Sequence, residues 1–260
     1  MDFENLKNKL DKGYFKLSDY FNDSFDIFKH VLKKEKKFIA FFFVSYLVLQ
    51  IILLCIENMK LEINDFTLIF LLFLQIVINS AGIQKVGNLI EINNQKILFF
   101  RTIKKSFLIF FYIMVISVIL AFVNIPIIDI LIILFLFFNF LFFVHLLYLR
   151  DLDFVQTIKY SFYLCKGNRI RLLVPIIILI LFFYFIFLPI KFIFGIIPNT
   201  SILGFIFKIF LTIFSSSFNL LLLTMATLIF LNVLYMDLKN IKKEKNSVSE
   251  IKNKNDTDFQ

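Results

Sequence analysis

The sequence predicts an all-α integral membrane helical bundle, with about six transmembrane helices and amphipathic helices on the cytoplasmic side. Three observations predict it. The chain of 260 residues is 60% hydrophobic, whereas soluble domains run at about 45–50%, and a water-facing globule could not hide that surplus. The apolar residues fall in long runs, and a helix that crosses a bilayer needs about 20 of them. The basic residues collect on alternate segments between those runs, the asymmetry that orients membrane helices.

Residues 1–37 are a charged preface without a signal-peptide layout. Within it Tyr14, Leu17, Phe21, Phe25, Phe28 and Leu32 recur at spacings of three or four, which predicts an amphipathic helix. Such a helix either lies on the inner leaflet or packs under the bundle. Spans follow at 38–56, 66–84, 106–124, 126–149 and 172–189. The final apolar run, 202–236, is 35 residues long. As one straight helix it would extend about 50 Å, beyond a hydrocarbon core of about 30 Å.

Charge decides how that run is divided. Residues 1–37 carry nine Lys or Arg, 85–105 carry five, 150–171 carry five, and the tail after Met236 carries six. The other connections hold only Lys60, Lys191 and Lys208, so 25 of the 28 basic residues lie on one set of alternate segments. Five spans precede the last run, so it crosses once to bring the basic tail back to the same side. Residues 218–236 are then the sixth span. Residues 202–217 are an interfacial or extended segment, bent near Ser215, Ser216 and Ser217. Both termini are cytoplasmic in the cell membrane. The chain divides into a preface (1–37), a transmembrane domain (38–236) and a polar tail (237–260) too poor in apolar residues to fold.

The inner loop 150–171 is helical by the same reasoning. Asp151 or Asp153 suits its cap, and Leu152, Val155, Ile158, Phe162 and Cys165 form its apolar stripe. Gly167 suits the left-handed residue that ends a helix, and Asn168 can cap the next one. Thr102-Ile103-Lys104-Lys105-Ser106-Phe107 matches Thr157-Ile158-Lys159-Tyr160-Ser161-Phe162 at five of six positions, with Ser24-Phe25 a weaker echo. Duplicated two-helix units or chance in a biased composition account for the match. The bias is strong: Phe supplies 39 residues and Trp none, and Phe, Ile, Lys and Asn share AT-rich codons. No single Phe therefore carries weight.

Catalytic patterns are absent from the sequence. It has no His-Glu-x-x-His metal motif, no phosphate-cradling glycine loop and no Gly-x-Ser-x-Gly elbow. No cofactor is expected. The net charge of +9 tracks the membrane boundaries, which argues against nucleic acid as a partner and for the bilayer. Polar residues inside spans are the remaining signal, because they are costly in lipid and face a bundle interior or cavity. They are Gln75, Asn79 and Ser80, then Asp129, Asn139 and His145, then Asn219 and Thr224. Asn79, Asn139 and Asn219 form the candidate polar core. They either line a path for a solute or lipid headgroup, or join helices by hydrogen bonds worth about 0.6 kcal/mol each. Lys104, Lys105, Lys159, Lys166, Arg169 and Arg171 are candidate contacts for anionic lipid, each worth about 1 kcal/mol near such a surface. The alternative is that they only set orientation. Lys191 and Lys208 can snorkel to outer headgroups.

The pattern Ile158-Lys159-x-Ser161-x-x-Leu164-x-Lys166-Gly167-Asn168-Arg169-x-Arg171-Leu172 resembles a segment of a group of bacterial polytopic membrane proteins of uncharacterised function. That group is similar to the membrane domain attached to some glycerophosphoryl diester phosphodiesterases. The ending Leu234-Tyr235-Met236-Asp237-Leu238-Lys239 resembles the group's close after its last span. The group favours Trp in the inner loop, and this chain has none. The resemblance implies an N-terminal amphipathic helix before about six spans. It implies no catalysis, since the phosphodiesterase chemistry belongs to a separate soluble barrel for which this chain has no room. The expected function is that of a non-enzymatic accessory or scaffold protein associated with membrane lipids or membrane protein partners. The alternative is a small permease or exporter that uses the polar core.

This topology makes a prediction for the two cysteines. A thiol reagent that cannot cross the membrane, added outside intact cells, should reach Cys55 where it is exposed and should never label Cys165.

Overall fold

The computed structural model describes residues 2–58, 65–93, 99–123, 141–150, 152–194 and 202–257. These residues are helical throughout, apart from short connections. The helices are α1 (Phe3–Lys12), α2 (Leu17–Lys34), α3 (Lys36–Asn58), α4 (Asp65–Ile90), α5 (Phe99–Val123), α6 (described over 141–149), α7 (Phe154–Cys165), α8 (Arg169–Phe194) and α9 (Ile202–Thr257).

Among the described residues, four helices are long and apolar enough to cross a membrane: α3, α4, α8 and α9. That is fewer than the six expected. The side chains of α5 are described only as far as residue 115, and the expected span 126–149 falls largely on 124–140, outside the described residues. Asp129 and Asn139 lie there too.

Helix α9 departs from expectation at both ends. It is one continuous helix from Ile202, without a break at the serines. The Ser216 and Ser217 hydroxyls donate back to the Ile213 carbonyl at 3.0 and 2.8 Å, the local bond by which serine is accommodated inside a helix. Beyond Asp237, where composition predicts an unfolded tail, the helix continues to Thr257. Residues 238–257 contain neither Gly nor Pro, and adding residues to an existing helix avoids the cost of nucleation. Helix α8 likewise runs through Pro189 to Phe194.

The inner part of α9 is the axis of the bundle. Every residue from Thr224 to Leu234 is buried. A helix enclosed on all its faces must be surrounded by other helices, and α1, α2, α3, α4, α7 and α8 pack against it. Small residues on α4 permit close neighbours: a Cβ added to Gly87 would lie 2.4 Å from the Leu149 side chain, and one on Gly82 would lie 3.1 Å from Leu223.

The N-terminal preface is two helices rather than one, and it is part of the bundle. The buried line of α2 is Tyr20, Ser24, Ile27 and Val31. The predicted stripe is displaced from it, for Phe21, Phe25, Phe28 and Leu32 are half-buried while Tyr14 and Leu17 are exposed. The reason is the shape of the seat. The helix lies against α3, α8 and α9 together, so both shoulders are covered and the deepest line falls between them. Asn232 of α9 holds the α1–α2 connection. Its Oδ1 accepts the Phe15 N–H at 3.1 Å and the Tyr20 hydroxyl at 2.8 Å, and its Nδ2 donates to the Gly13 carbonyl at 3.0 Å. Lys9 of α1 pairs with Asp19 and Asp23 of α2 at 3.2 and 2.8 Å, and Lys239 donates to the Asp11 carbonyl at 2.7 Å.

Helix α7 shows a similar shift. Thr157, Ser161, Leu164 and Cys165 are buried, whereas Val155 and Phe162 of the expected stripe are exposed. Asp153 stands at the N-cap without a side-chain bond to the helix, and Gly167 follows the helix at φ +88. The matched hexapeptides occupy matched environments. Thr102 and Ser106 are buried like Thr157 and Ser161, and the Phe after each serine is exposed.

Burial pushes the Cys165 thiol up to about 12, so it is unreactive from either face and its silence does not report topology. A cysteine at the exposed Lys166 position is the better reporter. The Asn232 clamp makes a separate prediction. Asn232→Leu should free α1 and α2, because each buried polar partner left unsatisfied costs about 1–3 kcal/mol. Faster tryptic cleavage at Lys12 and Lys16, with a lower melting temperature, is the expected result.

Candidate functional site

Three apolar helices each turn one polar side chain to a common point. Tyr46 lies on α3, Asn79 on α4 and Asn219 on α9. The Tyr46 hydroxyl donates to Asn79 Oδ1 at 2.6 Å, and Asn219 Nδ2 donates to the same oxygen at 2.7 Å and to the Tyr46 hydroxyl oxygen at 2.5 Å. Gln75, one turn earlier on α4, also hydrogen-bonds Tyr46. Polar groups in hydrocarbon must find partners in one another, and these find them across three helices. The structure thus brings together two of the three predicted asparagines. The third, Asn139, lies outside the described residues.

The cluster stands between two cavities. On the side away from the basic helix ends is a cleft of about 530 Å³ between α3, α4, α8 and α9. Five leucines and Phe187 supply half of its lining residues, and Tyr46, Gln50, Gln75, Thr212 and Ser215 supply polar atoms. Among the described residues, Lys208 is the only charged one that lines it. On the other side a smaller cavity of about 170 Å³ reaches Asn79, Ser80, His145 and Tyr148 among aliphatic side chains.

The polar groups around the smaller cavity are joined to one another. Ser80 Oγ lies 3.2 Å from Ser106 Oγ, and Ser106 Oγ lies 2.7 Å from the Tyr148 hydroxyl. Gln84 Nε2 donates to Thr102 Oγ1 at 2.9 Å. His145 places Nδ1 2.7 Å from the Leu141 carbonyl oxygen and Nε2 3.2 Å from Thr227 Oγ1. It is a satisfied bundle residue. Thr224 is satisfied within α9, donating to the Leu220 carbonyl at 2.8 Å. Among the described residues no group of three or more His, Cys, Asp or Glu is placed to hold a metal ion.

Ion pairs ring the basic end of the bundle. Arg150 forms a fork with Glu91 at 2.9 and 2.5 Å, and Tyr235 donates to the same carboxylate at 3.3 Å. Lys85 pairs with Glu35 at 2.7 Å. The Tyr160 hydroxyl donates to Asp237 at 2.7 Å, and burial together with that carboxylate drives its pKa up. Ile92, beside Glu91, takes the left-handed conformation at φ 57, which is strained for a β-branched residue and turns the chain at the end of α4.

The six candidate lipid-contact cations do not converge on one pocket. Lys105 turns inward and donates to the Leu147 carbonyl. Arg171 lies 3.5 Å above the Tyr14 ring and donates to Asn168 Oδ1 at 3.0 Å. Lys104, Lys159, Lys166 and Arg169 are exposed on α5, α7 and α8. Asn168 also donates to the Leu164 carbonyl at 3.0 Å, so it ties α7 to α8.

Sequence reasoning missed Tyr46, Asn232 and Glu91. Asn232 carried a usable signal, an amide within an apolar run. Tyr46 gave none, because a tyrosine in a span equally suits a lipid-facing position.

Comparison of the chain with protein-family models, curated proteins and solved structures gives no match. Fold and site together define the class, a helical protein of membrane type with a half-buried polar cluster between two cavities.

The cluster should behave as a coupled unit. A double-mutant cycle with Tyr46→Phe and Asn219→Leu, measured by reversible unfolding in bicelles, should give a coupling of about 0.6–1.7 kcal/mol.

Proposed function

We propose that this chain is a non-enzymatic accessory protein of the cell membrane that acts by holding a membrane lipid. Six spans with both termini cytoplasmic complete the reading, on the strength of the basic-residue asymmetry. The observation that carries the proposal is the cleft of about 530 Å³ between α3, α4, α8 and α9. Its volume lies within the range of ligand pockets, about 300–1,000 Å³. Its apolar wall suits an acyl chain, and its few polar atoms suit the region where chain meets headgroup. The amphipathic helices are less suited to bind a partner than their sequence implies, because α1 and α2 spend their apolar faces on the bundle. Protein partners would meet the broad exposed apolar face of α8, which includes Phe182, Tyr184, Phe185 and Leu188.

A second reading is a small permease. It is favoured by the position of Asn79, which belongs to the cluster beside the cleft and also lines the smaller cavity beyond it. If solute crosses here, Asn79→Leu and Asn219→Leu should abolish flux in reconstituted vesicles.

Ser215→Phe places an aromatic ring in the cleft while leaving the cluster intact. Purification in mild detergent followed by native mass spectrometry should find bound lipid on the unaltered protein and at least tenfold less on this variant. Equal lipid on both would remove the reading.

A further inference from the structure

We infer that the repeated hexapeptide is an anchor for anionic lipid: on α5 and again on α7, its lysine and phenylalanine together grip the headgroup layer at the basic end of the bundle. The inference stands apart from the cleft and does not need the cleft to be occupied.

The two copies match in more than sequence. Thr102 and Ser106 are buried, Lys104 and Phe107 are exposed, and Ile103 and Lys105 are half-buried. Residues 157–162 repeat that order position by position, with Lys159 and Phe162 exposed. Helix geometry explains the order. Successive residues turn by about 100°, so threonine and serine, four apart, share one face. Lysine and phenylalanine, three apart, share another, about 150° away. Hydrogen bonds fix which face turns inward. On α5, Thr102 accepts from Gln84 of α4 at 2.9 Å, and Ser106 meets Tyr148 of α6 at 2.7 Å. On α7, the bond from Tyr160 to Asp237 holds the helix to α9.

The outward faces have the chemistry of a membrane boundary. On α5, Lys104 is followed on its own face by Phe107, Phe111 and Val115, all exposed. Charge gives way to apolar surface there, as on a helix that enters a leaflet. On α7, Val155, Lys159, Phe162 and Lys166 form one exposed face on which apolar and basic residues alternate. That is the composition of a helix lying in the interface plane. One hexapeptide thus serves an upright helix and a flat one. An anionic leaflet complements both halves of the pair: its phosphates take the ammonium, and its acyl chains take the ring.

The chain contains no Trp, so one introduced tryptophan reports its own surroundings. Full-length Phe107→Trp and Phe162→Trp proteins go into nanodiscs of phosphatidylcholine and phosphatidylglycerol, with one lipid or the other brominated on its chains. Bromine quenches tryptophan only near contact. Brominated phosphatidylglycerol should compete for each reporter about fivefold better than brominated phosphatidylcholine, the effect of one basic residue at an anionic surface. Lys104→Gln should abolish that preference at the first reporter alone, and Lys159→Gln at the second alone. Lys104→Arg and Lys159→Arg should keep it. Phe185→Trp, on the exposed face of α8, gives the baseline without preference, and an unchanged melting temperature checks that each variant is folded. Equal quenching by the two lipids at positions 107 and 162 would overturn the inference. A preference that survives both Lys→Gln changes would assign it to the basic end as a whole and overturn the paired grip. A Phe162→Trp reporter that neither lipid quenches would put α7 outside the leaflet and overturn the inference equally.

Discussion

The structure depends on the complete enclosure of α9 between Thr224 and Leu234. A helix embedded in lipid can leave half its surface to acyl chains, because hydrocarbon solvates apolar side chains as well as protein does. This helix leaves none. Enclosure demands neighbours on every side, and the spans alone do not provide them. The N-terminal helices fill the gap at the basic end, where Leu6, Leu10, Tyr20, Ile27 and Val31 join one continuous core with Leu228, Phe230 and Leu234 of α9.

Polar chemistry is what makes that enclosure specific. Apolar surfaces in a bundle slide and rotate at little cost, whereas a buried amide has few acceptable partners. Asn232 accepts two donors and donates to a carbonyl of the N-terminal connection, which fixes the register of α1 and α2. Asn79 and Asn219 do the same for α3, α4 and α9. The Arg150–Glu91 fork then ties the end of α6 to the end of α4. Further fastenings join α4 to α5 at Gln84 and Thr102 and α6 to α9 at His145 and Thr227. Away from the basic end, beyond the Tyr46 cluster, α3, α4, α8 and α9 line the cleft.

Much of this was legible in the sequence. The helical class and the position of α3, α4 and α8 follow from apolar run length, and the cost of amides in lipid marks Asn79 and Asn219 without saying which groups they meet. The divided N-terminal preface was not, because a periodic stripe shows that a helix has an apolar side without showing the shape of what receives it. A concave seat covers both shoulders of α2 and moves the buried line to Tyr20, Ser24, Ile27 and Val31. The continuity of α9 was hidden for another reason. Serine and polar runs lower helix propensity locally, but a long helix anchored in the core carries them along.

The Asn232 clamp also sets an order of assembly. Its partners Phe15 and Tyr20 precede it by 217 and 212 residues. During synthesis these residues emerge first, yet their seat does not exist until the last helix has entered the membrane. The helices α1 and α2 are thus made before their seat and wait with their apolar faces uncovered until α9 is in place. Entry of α9 closes the bundle, and a product truncated before α9 would carry an exposed sticky end that quality-control proteases can recognise.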